Sequence, residues 1–216
     1  MGICISYKGS LSDPSRLEEA IAEVKKFCVR AAWRCEDWEE HVSGLLLASK
    51  GRAKPKLIEE DLRGVYVCPP ETESLRLVFD SKGRLAHYLE LLEEMIKDPI
   101  PGTTYYLAMP NYCKTNGEPD VHLRMCLLLR ILQAKFMPDL KVQDDTNFWK
   151  TGNFEKLCKE HLAMGLFIQS MNDPKKATEF LRSMGVDIPE GELVEVLDPN
   201  IPIPCPTKKK AKAAVN

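Results

Sequence analysis

The sequence has no uninterrupted apolar run of the roughly 18 residues that a membrane-spanning helix needs. The apolar stretch LAMGLFI, residues 162–168, is far shorter. The opening segment MGICISYKGS also lacks the basic residues, apolar run and cleavage site that together make a secretory signal. We therefore expect a soluble, cytoplasmic protein with no membrane partner.

Neither sign of charge is in excess. The 216 residues include 30 lysines and arginines and 32 aspartates and glutamates, giving a formal net charge of -2. Nucleic-acid-binding domains usually carry a basic surplus, so no nucleic-acid partner is expected. The length is sufficient for one substantial core. We predict a single domain over residues 1–185, followed at 186–216 by a Pro-rich extended arm and a Lys-rich flexible tail.

Several common catalytic and cofactor-binding motifs are also missing. The chain has no G-x-x-x-x-G-K-[ST] or G-x-G-x-x-G loop, no G-x-S-x-G and no H-E-x-x-H. These absences argue against the commonest nucleotide-dependent enzymes, serine hydrolases and zinc proteases. We expect no cofactor, and the question of enzyme or binding protein stays open at this point.

Eight cysteines are present, but no two form the C-x-x-C pair that zinc ribbons and redox motifs use. Most lie in apolar segments such as VKKFCVRAAW, residues 24–33. We therefore expect reduced, largely buried cysteines without disulfides, which suits the cytoplasm.

Apolar periodicity and turn residues predict a mixture of helices and strands. In chain order we predict a strand at 3–8, a helix at 14–32, an irregular connection at 33–56 with a short helix near 36–48, a strand at 62–68, a hairpin at 74–92, a β segment at 103–115, a helix at 118–137, a strand at 139–143 and helices at 153–171 and 173–185. This order indicates an α+β fold, an antiparallel or mixed sheet with helices mainly on one face. An elaborated ferredoxin-like core is one such arrangement.

The segment PNYCKTNGEPDVHLRMC, residues 110–126, offers a candidate catalytic pair. Cys113 and His122 are the residue types of a thiolate–imidazole dyad, and Lys114 beside the thiol favours the thiolate. The alternative is structural: Cys113 ends a β segment, Asn-Gly makes a turn and His122 begins a core helix. The spacing does not distinguish the two interpretations.

Two groups of residues are candidates for binding a metal ion. His122 and Cys126 stand four apart on one predicted helix, and Cys158 and His161 stand three apart on another, so facing helices would assemble four zinc ligands. Asp144 and Asp145 end a predicted strand and offer oxygen ligands or acid–base groups. Adjacent residues of a strand point to opposite faces, however, which favours the alternative interpretation of a polar turn with an aromatic anchor.

The loops at 110–120 and 143–152 are predicted to form a binding rim. Its candidate residues share aromatic or charged side chains near a turn: Tyr112, Lys114, Asp144, Asp145, Phe148 and Trp149. Exposed tryptophan beside polar groups is typical of protein interfaces. We therefore predict an intracellular protein-binding protein of the immunity or adaptor kind. The alternative is a hydrolase or transferase that uses Cys113 and His122, or a metal bound by the aspartates.

The segment FMPDLKVQDDTNFWKTG, residues 136–152, together with CKT and His122 before it, resembles a pattern in uncharacterised bacterial proteins. Those proteins also begin with a strand similar to ICISYKGSL and an Asp-Pro-capped helix. The resemblance covers most of residues 2–170 and implies no particular activity.

Overall fold

The computed structural model describes residues 2–47, 54–116 and 118–170, and after these residues 175, 178, 179 and 182. The chain divides into two compact units, Met1–Gly165 and Leu166–Asn216. The predicted arm at 186–216 and most of the predicted helix at 173–185 lie outside the described residues.

The first unit contains eight strands and the principal helices of the described chain. In order these are β1 (Ile3–Lys8), α1 (Leu17–Ala31), β2 (Arg34–Leu47), β3 (Lys56–Cys68), β4 (Leu75–Phe79), β5 (Tyr88–Leu91), β6 (Tyr105–Ala108), β7 (Asn111–Thr115), α2 (Pro119–Lys135), β8 (Lys141–Asp144), α3 (Phe148–Thr151) and α4 (Phe154–Ser170), the last of which continues past Gly165. The predicted α+β class is confirmed. No described helix combines the length and the apolar character needed to cross a membrane.

A three-stranded sheet in the order β7-β1-β8 carries the candidate site. Both outer strands run antiparallel to β1, so β7 and β8 are parallel to each other. The unit β7–α2–β8 with β1 between its strands is a split βαβ arrangement, which ferredoxin-like folds also use. A complete ferredoxin-like core stays a prediction.

The second sheet has five strands in the order β4-β3-β2-β6-β5. Its centre is the long β2–β3 pair, which runs from Arg34 opposite Cys68 to Leu46 opposite Lys56. The predicted irregular connection with a helix near 36–48 is therefore wrong. The strand was missed because most β2 side chains are exposed or half-buried on both faces, so the apolar alternation of a half-buried strand is absent.

The predicted hairpin at 74–92 forms only as far as its turn. Asp80 Oδ1 accepts hydrogen bonds from the backbone N–H groups of Lys82 and Arg84, at 3.0 and 2.9 Å. Beyond the turn, Leu85 forms an isolated bridge with Phe79, but the rest of the return arm, β5, pairs with β6. The hairpin partner of β4 is instead β3, the strand before it in the chain.

The main core lies between the two sheets and the helices α1 and α2. On β1, the alternating residues Ile3, Ile5 and Tyr7 are buried and face this core. Helix α2 buries one side of its surface: Leu128 and Leu129 are both 0% exposed, whereas Leu127 is 46% exposed and Arg130 is exposed. A smaller apolar cluster, built around Val42, Ile58, Leu62, Val78, Ala86 and Tyr106, packs on the five-stranded sheet.

Truncation of a core leucine on α2 tests this arrangement. Leu129→Ala removes a fully buried side chain and leaves a cavity, so we expect a loss of about 2–5 kcal/mol in the free energy of unfolding. Leu127→Ala is the matched control, because Leu127 lies two residues away on the same helix and is 46% exposed. The control should change stability by less than about 1 kcal/mol in urea titrations. Equal losses would contradict the burial of α2.

Candidate functional site

The candidate site lies where β7 and β8 end and α2 begins. Thr115 at the end of β7 pairs with Ile3, and Asp144 at the end of β8 pairs with Ile5. Because both strands run against β1, their ends meet near the start of β1. The loops that follow them therefore leave the three-stranded sheet at the same end.

His122, in the first turns of α2, is completely buried at this end. Its Nδ1 lies 2.9 Å from Thr115 Oγ1, at hydrogen-bond distance. Its Nε2 lies 3.3 Å from Asp144 Oδ1, but the two groups lack hydrogen-bond alignment. One imidazole thus connects α2 with the ends of two strands.

Asp144 has a fully buried carboxylate that organises the loop after β8. Its Oδ1 accepts hydrogen bonds from Thr146 N–H at 2.8 Å and Thr146 O–H at 2.7 Å, and its Oδ2 accepts one from Trp149 N–H at 2.8 Å. Burial raises the pKa of Asp144, but the His122 imidazole and these donors outweigh burial and hold the pKa well below its usual range. The carboxylate is therefore charged at neutral pH.

Cys126 lies one helical turn after His122. The ligand atoms of His122, Cys126 and Asp144 all lie within 4.8 Å of one another, and all three residues are buried. We call these three residues the buried cluster. Burial above all, and then the charge of Asp144, raise the pKa of the Cys126 thiol to about 12. The ring of His161 packs edge-on against that of His122, with centroids 5.5 Å apart.

The predicted dyad of Cys113 and His122 does not form. Cys113 Sγ points to the Ile5 carbonyl at 4.0 Å, whereas the two imidazole nitrogens face Thr115 and Asp144. Burial raises the pKa of the Cys113 thiol well above its usual value, which disfavours the thiolate that a nucleophile needs. Cys113 is a core residue of β7.

The fold brings together only some of the predicted metal ligands. His122 and Cys126 lie together as predicted, but the carboxylate of Asp144 joins them instead of the thiol of Cys158. Asp144 and Asp145 point apart: Asp145 is exposed, and its Oδ2 accepts a hydrogen bond from Cys4 N–H at 3.1 Å. The two aspartates therefore do not share one ion.

Two of the predicted rim aromatics are turned inward. Phe148 packs edge-on to His122, with ring centroids 6.3 Å apart, and Trp149 is half-buried beneath the guanidinium of Arg130, 4.4 Å from the ring centroid. The Asp144 bond to Trp149 N–H fixes this inward turn. Tyr112 and Lys114 do face outward on β7, where the Lys114 amine lies 5.9 Å from the Tyr112 ring centroid.

An open cleft of about 810 Å³ lies on the other face of the three-stranded sheet. It follows β1 and β8 and reaches the start of β7. The polar residues that line it and that were not site candidates in the sequence are Ser6, Lys8, Asn111, Lys141, Gln143, Asn147 and Lys150. For Ser6, Lys8, Lys141 and Gln143 the signal is the polar half of the strand alternation on β1 and β8, which becomes informative once the strand pairing is known.

In comparisons with known proteins, the chain matches no family model, no curated protein and no solved structure. The buried cluster and the cleft are therefore the two candidate sites, and their geometry is the basis for a function.

Neutralising Asp144 tests its structural importance. Asp144→Asn leaves an amide N–H₂ group facing existing donors and removes the charge beside His122, so we expect a loss of about 3–5 kcal/mol in the free energy of unfolding at pH 7. Asp145→Asn is the control, because that side chain is exposed and has one hydrogen bond, which is worth about 1 kcal/mol. Urea unfolding of both variants measures the difference, and comparable losses would contradict the assignment.

Proposed function

We propose that this chain is a protein-binding protein and that its recognition surface is the cleft on the outer face of the three-stranded sheet. We infer a partner segment with acidic and apolar side chains. The observation that best supports an acidic partner is the pairing of two lysines. Lys8 and Lys141 stand directly opposite each other on β1 and β8, and both are exposed in the cleft.

Like charges opposite each other in a sheet repel and destabilise it. Lys150 adds a third amine to the same lining, and none of the three lysines forms an ion pair with any residue that the structure describes. The cleft also contains Asp145, but its carboxylate is bonded to the β1 backbone. An anionic partner would relieve the repulsion between the amines, which supports an acidic ligand.

The remaining lining favours a protein segment over a nucleic acid. Leu85, Met109 and Pro110 give the cleft an apolar side against which side chains of a peptide can pack. Single-stranded nucleic acids need exposed aromatic faces for base stacking, and Tyr7, the aromatic residue among the described lining, is 3% exposed. Charge and apolar surface together therefore support an acidic, partly apolar peptide segment.

Charge reversal in the cleft tests this proposal. Fluorescence anisotropy would measure binding of a labelled octapeptide of alternating glutamate and leucine to the full chain. The double variant Lys8→Glu, Lys141→Glu should weaken binding by about 10-fold or more, because two exposed charge contacts of about 0.5–1 kcal/mol each are reversed. The control Lys56→Glu changes an exposed lysine on the other sheet and should bind as the wild type does.

Two outcomes would contradict the proposal. Equal binding by the double variant and by Lys56→Glu would show that the cleft is not the recognition surface. Stronger binding of inorganic phosphate or a single-stranded oligonucleotide than of the peptide would remove a protein as the partner class.

The lysine pair also predicts a conflict between stability and binding. Lys8→Glu alone replaces a repulsive cross-strand pair with an attractive one, so we expect a gain of about 0.2–1 kcal/mol in the free energy of unfolding. The same variant should bind the acidic peptide more weakly. Residues kept for function at a cost in stability behave in this way. A loss of stability in urea titrations would show that the two amines do not repel.

A further inference from the structure

The hydrogen bonds around His122 determine which of its nitrogens carries a proton. Thr115 Oγ1 has a single proton and lies 3.2 Å from the Ile3 carbonyl, which can only accept. If that proton is donated to Ile3, the contact of 2.9 Å with His122 Nδ1 is donated by the imidazole. In that arrangement Nδ1 carries a proton and Nε2 has a lone pair.

A cation would stabilise the surroundings of this lone pair. Nε2 is buried without a hydrogen-bond partner among the described residues, and its neighbour at 3.3 Å is Asp144 Oδ1, an oxygen that already accepts two hydrogen bonds. Two buried acceptors at this distance repel unless a positive species lies between them. That species is either an extra proton on Nε2 or a metal ion.

The distances fit a metal ion. Zinc binds histidine nitrogen and carboxylate oxygen at about 2.0 Å, which places two tetrahedral ligand atoms about 3.3 Å apart. The separation of His122 Nε2 and Asp144 Oδ1 has this value. The corresponding nitrogen–sulfur separation is about 3.6 Å. Because Cys126 Sγ lies within 4.8 Å of both atoms, it needs to move by about 1 Å.

The chemistry of the donors also selects the class of metal. One imidazole nitrogen, one thiolate and one carboxylate suit Zn²⁺ and similar transition metals, whereas Mg²⁺ and Ca²⁺ prefer sites built from oxygen alone. The Thr115 contact to Nδ1 is the outer hydrogen bond that orients a metal-binding histidine.

We propose that His122, Cys126 and Asp144 form a buried Zn²⁺ site inside the core. On binding, the Cys126 thiol loses its proton to solvent and forms the sulfur–zinc bond, while Nε2 and Asp144 Oδ1 donate lone pairs. Zinc then takes the place of the Thr146 hydroxyl at Asp144 Oδ1. A dication with one thiolate and one carboxylate is neutral overall, which a buried site requires. The site does not depend on the proposed partner, although Asp144 also borders the cleft.

Cobalt substitution tests the site directly. The full chain is treated with a chelator, then titrated with Co²⁺ and, in a parallel sample, Zn²⁺. We expect about one ion per chain, a thiolate-to-cobalt charge-transfer band with the absorption of tetrahedral Co²⁺, and a rise in the thermal unfolding temperature with Zn²⁺ that Mg²⁺ does not produce.

Cys126→Ser should remove the charge-transfer band and weaken Zn²⁺ binding on the order of 100-fold, while leaving the fold intact because serine is nearly isosteric. Cys113→Ser is the matched control: Cys113 is equally buried in the same core but lies outside the cluster, so this variant should keep the band. Thr115→Val preserves the branched shape of the side chain and removes the outer hydrogen bond, so it should weaken Zn²⁺ binding by about 10–100-fold.

Three results would overturn the proposal. Absence of the band and of a stoichiometric ion in the wild type would show that a proton alone lies between His122 and Asp144. Persistence of the band in Cys126→Ser would place the metal elsewhere. If Thr115→Val bound Zn²⁺ with wild-type affinity, the hydrogen bond from His122 Nδ1 to Thr115 would not orient the imidazole for the metal.

Discussion

The contact of the His122 imidazole with Thr115 and Asp144 is the constraint on which the local structure depends. Most other contacts of α2 with the core are apolar contacts, which have no directional preference and would tolerate small shifts along the helix axis. A buried polar group is costly unless its partners are in place, so the 2.9 Å contact of His122 Nδ1 with Thr115 Oγ1 helps to fix the position of α2 relative to the end of β7.

The same carboxylate determines the conformation of the loop after β8. With Thr146 and Trp149 bonded to Asp144, the chain turns back toward the core and begins α3 immediately. The indole is then half-buried against Arg130, whose guanidinium lies 4.4 Å from the ring centroid. The polar face of the sheet, and not the aromatic loop, is therefore the surface with unsatisfied charge.

Much of the fold could be predicted from sequence. The Asp13–Pro14 start predicted α1, because the cap and the fixed backbone of proline act locally. The apolar run in α2 indicated its burial. Strand β2 was not predicted, since its side chains lack the apolar alternation of a half-buried strand and its hairpin with β3 has a long connection. Local propensity contains no information about such a partner.

The site could be predicted only in part, for a related reason. Alternation places both Cys113 and Thr115 on the inner face of β7, and the sequence does not reveal which one lies level with His122. The register with β1 decides in favour of Thr115. The sequence did predict that Asp144 and Asp145 point to opposite faces, but which of them is buried follows from the register of β8.

Strand β8 therefore connects the two proposed sites without merging them. Its inward residue Asp144 belongs to the buried cluster, while its outward neighbours Gln143 and Asp145 line the cleft. A shift of register by one residue would exchange these sets and place Asp145 in the core beside His122. Tight fixation of Asp144 by its hydrogen-bond donors opposes that shift, so the polar contacts in the core also maintain Lys141 opposite Lys8 in the cleft. The hydrogen bonds to Asp144 on the inner face of β8 thus keep the two amines opposite each other on the outer face, in spite of their repulsion.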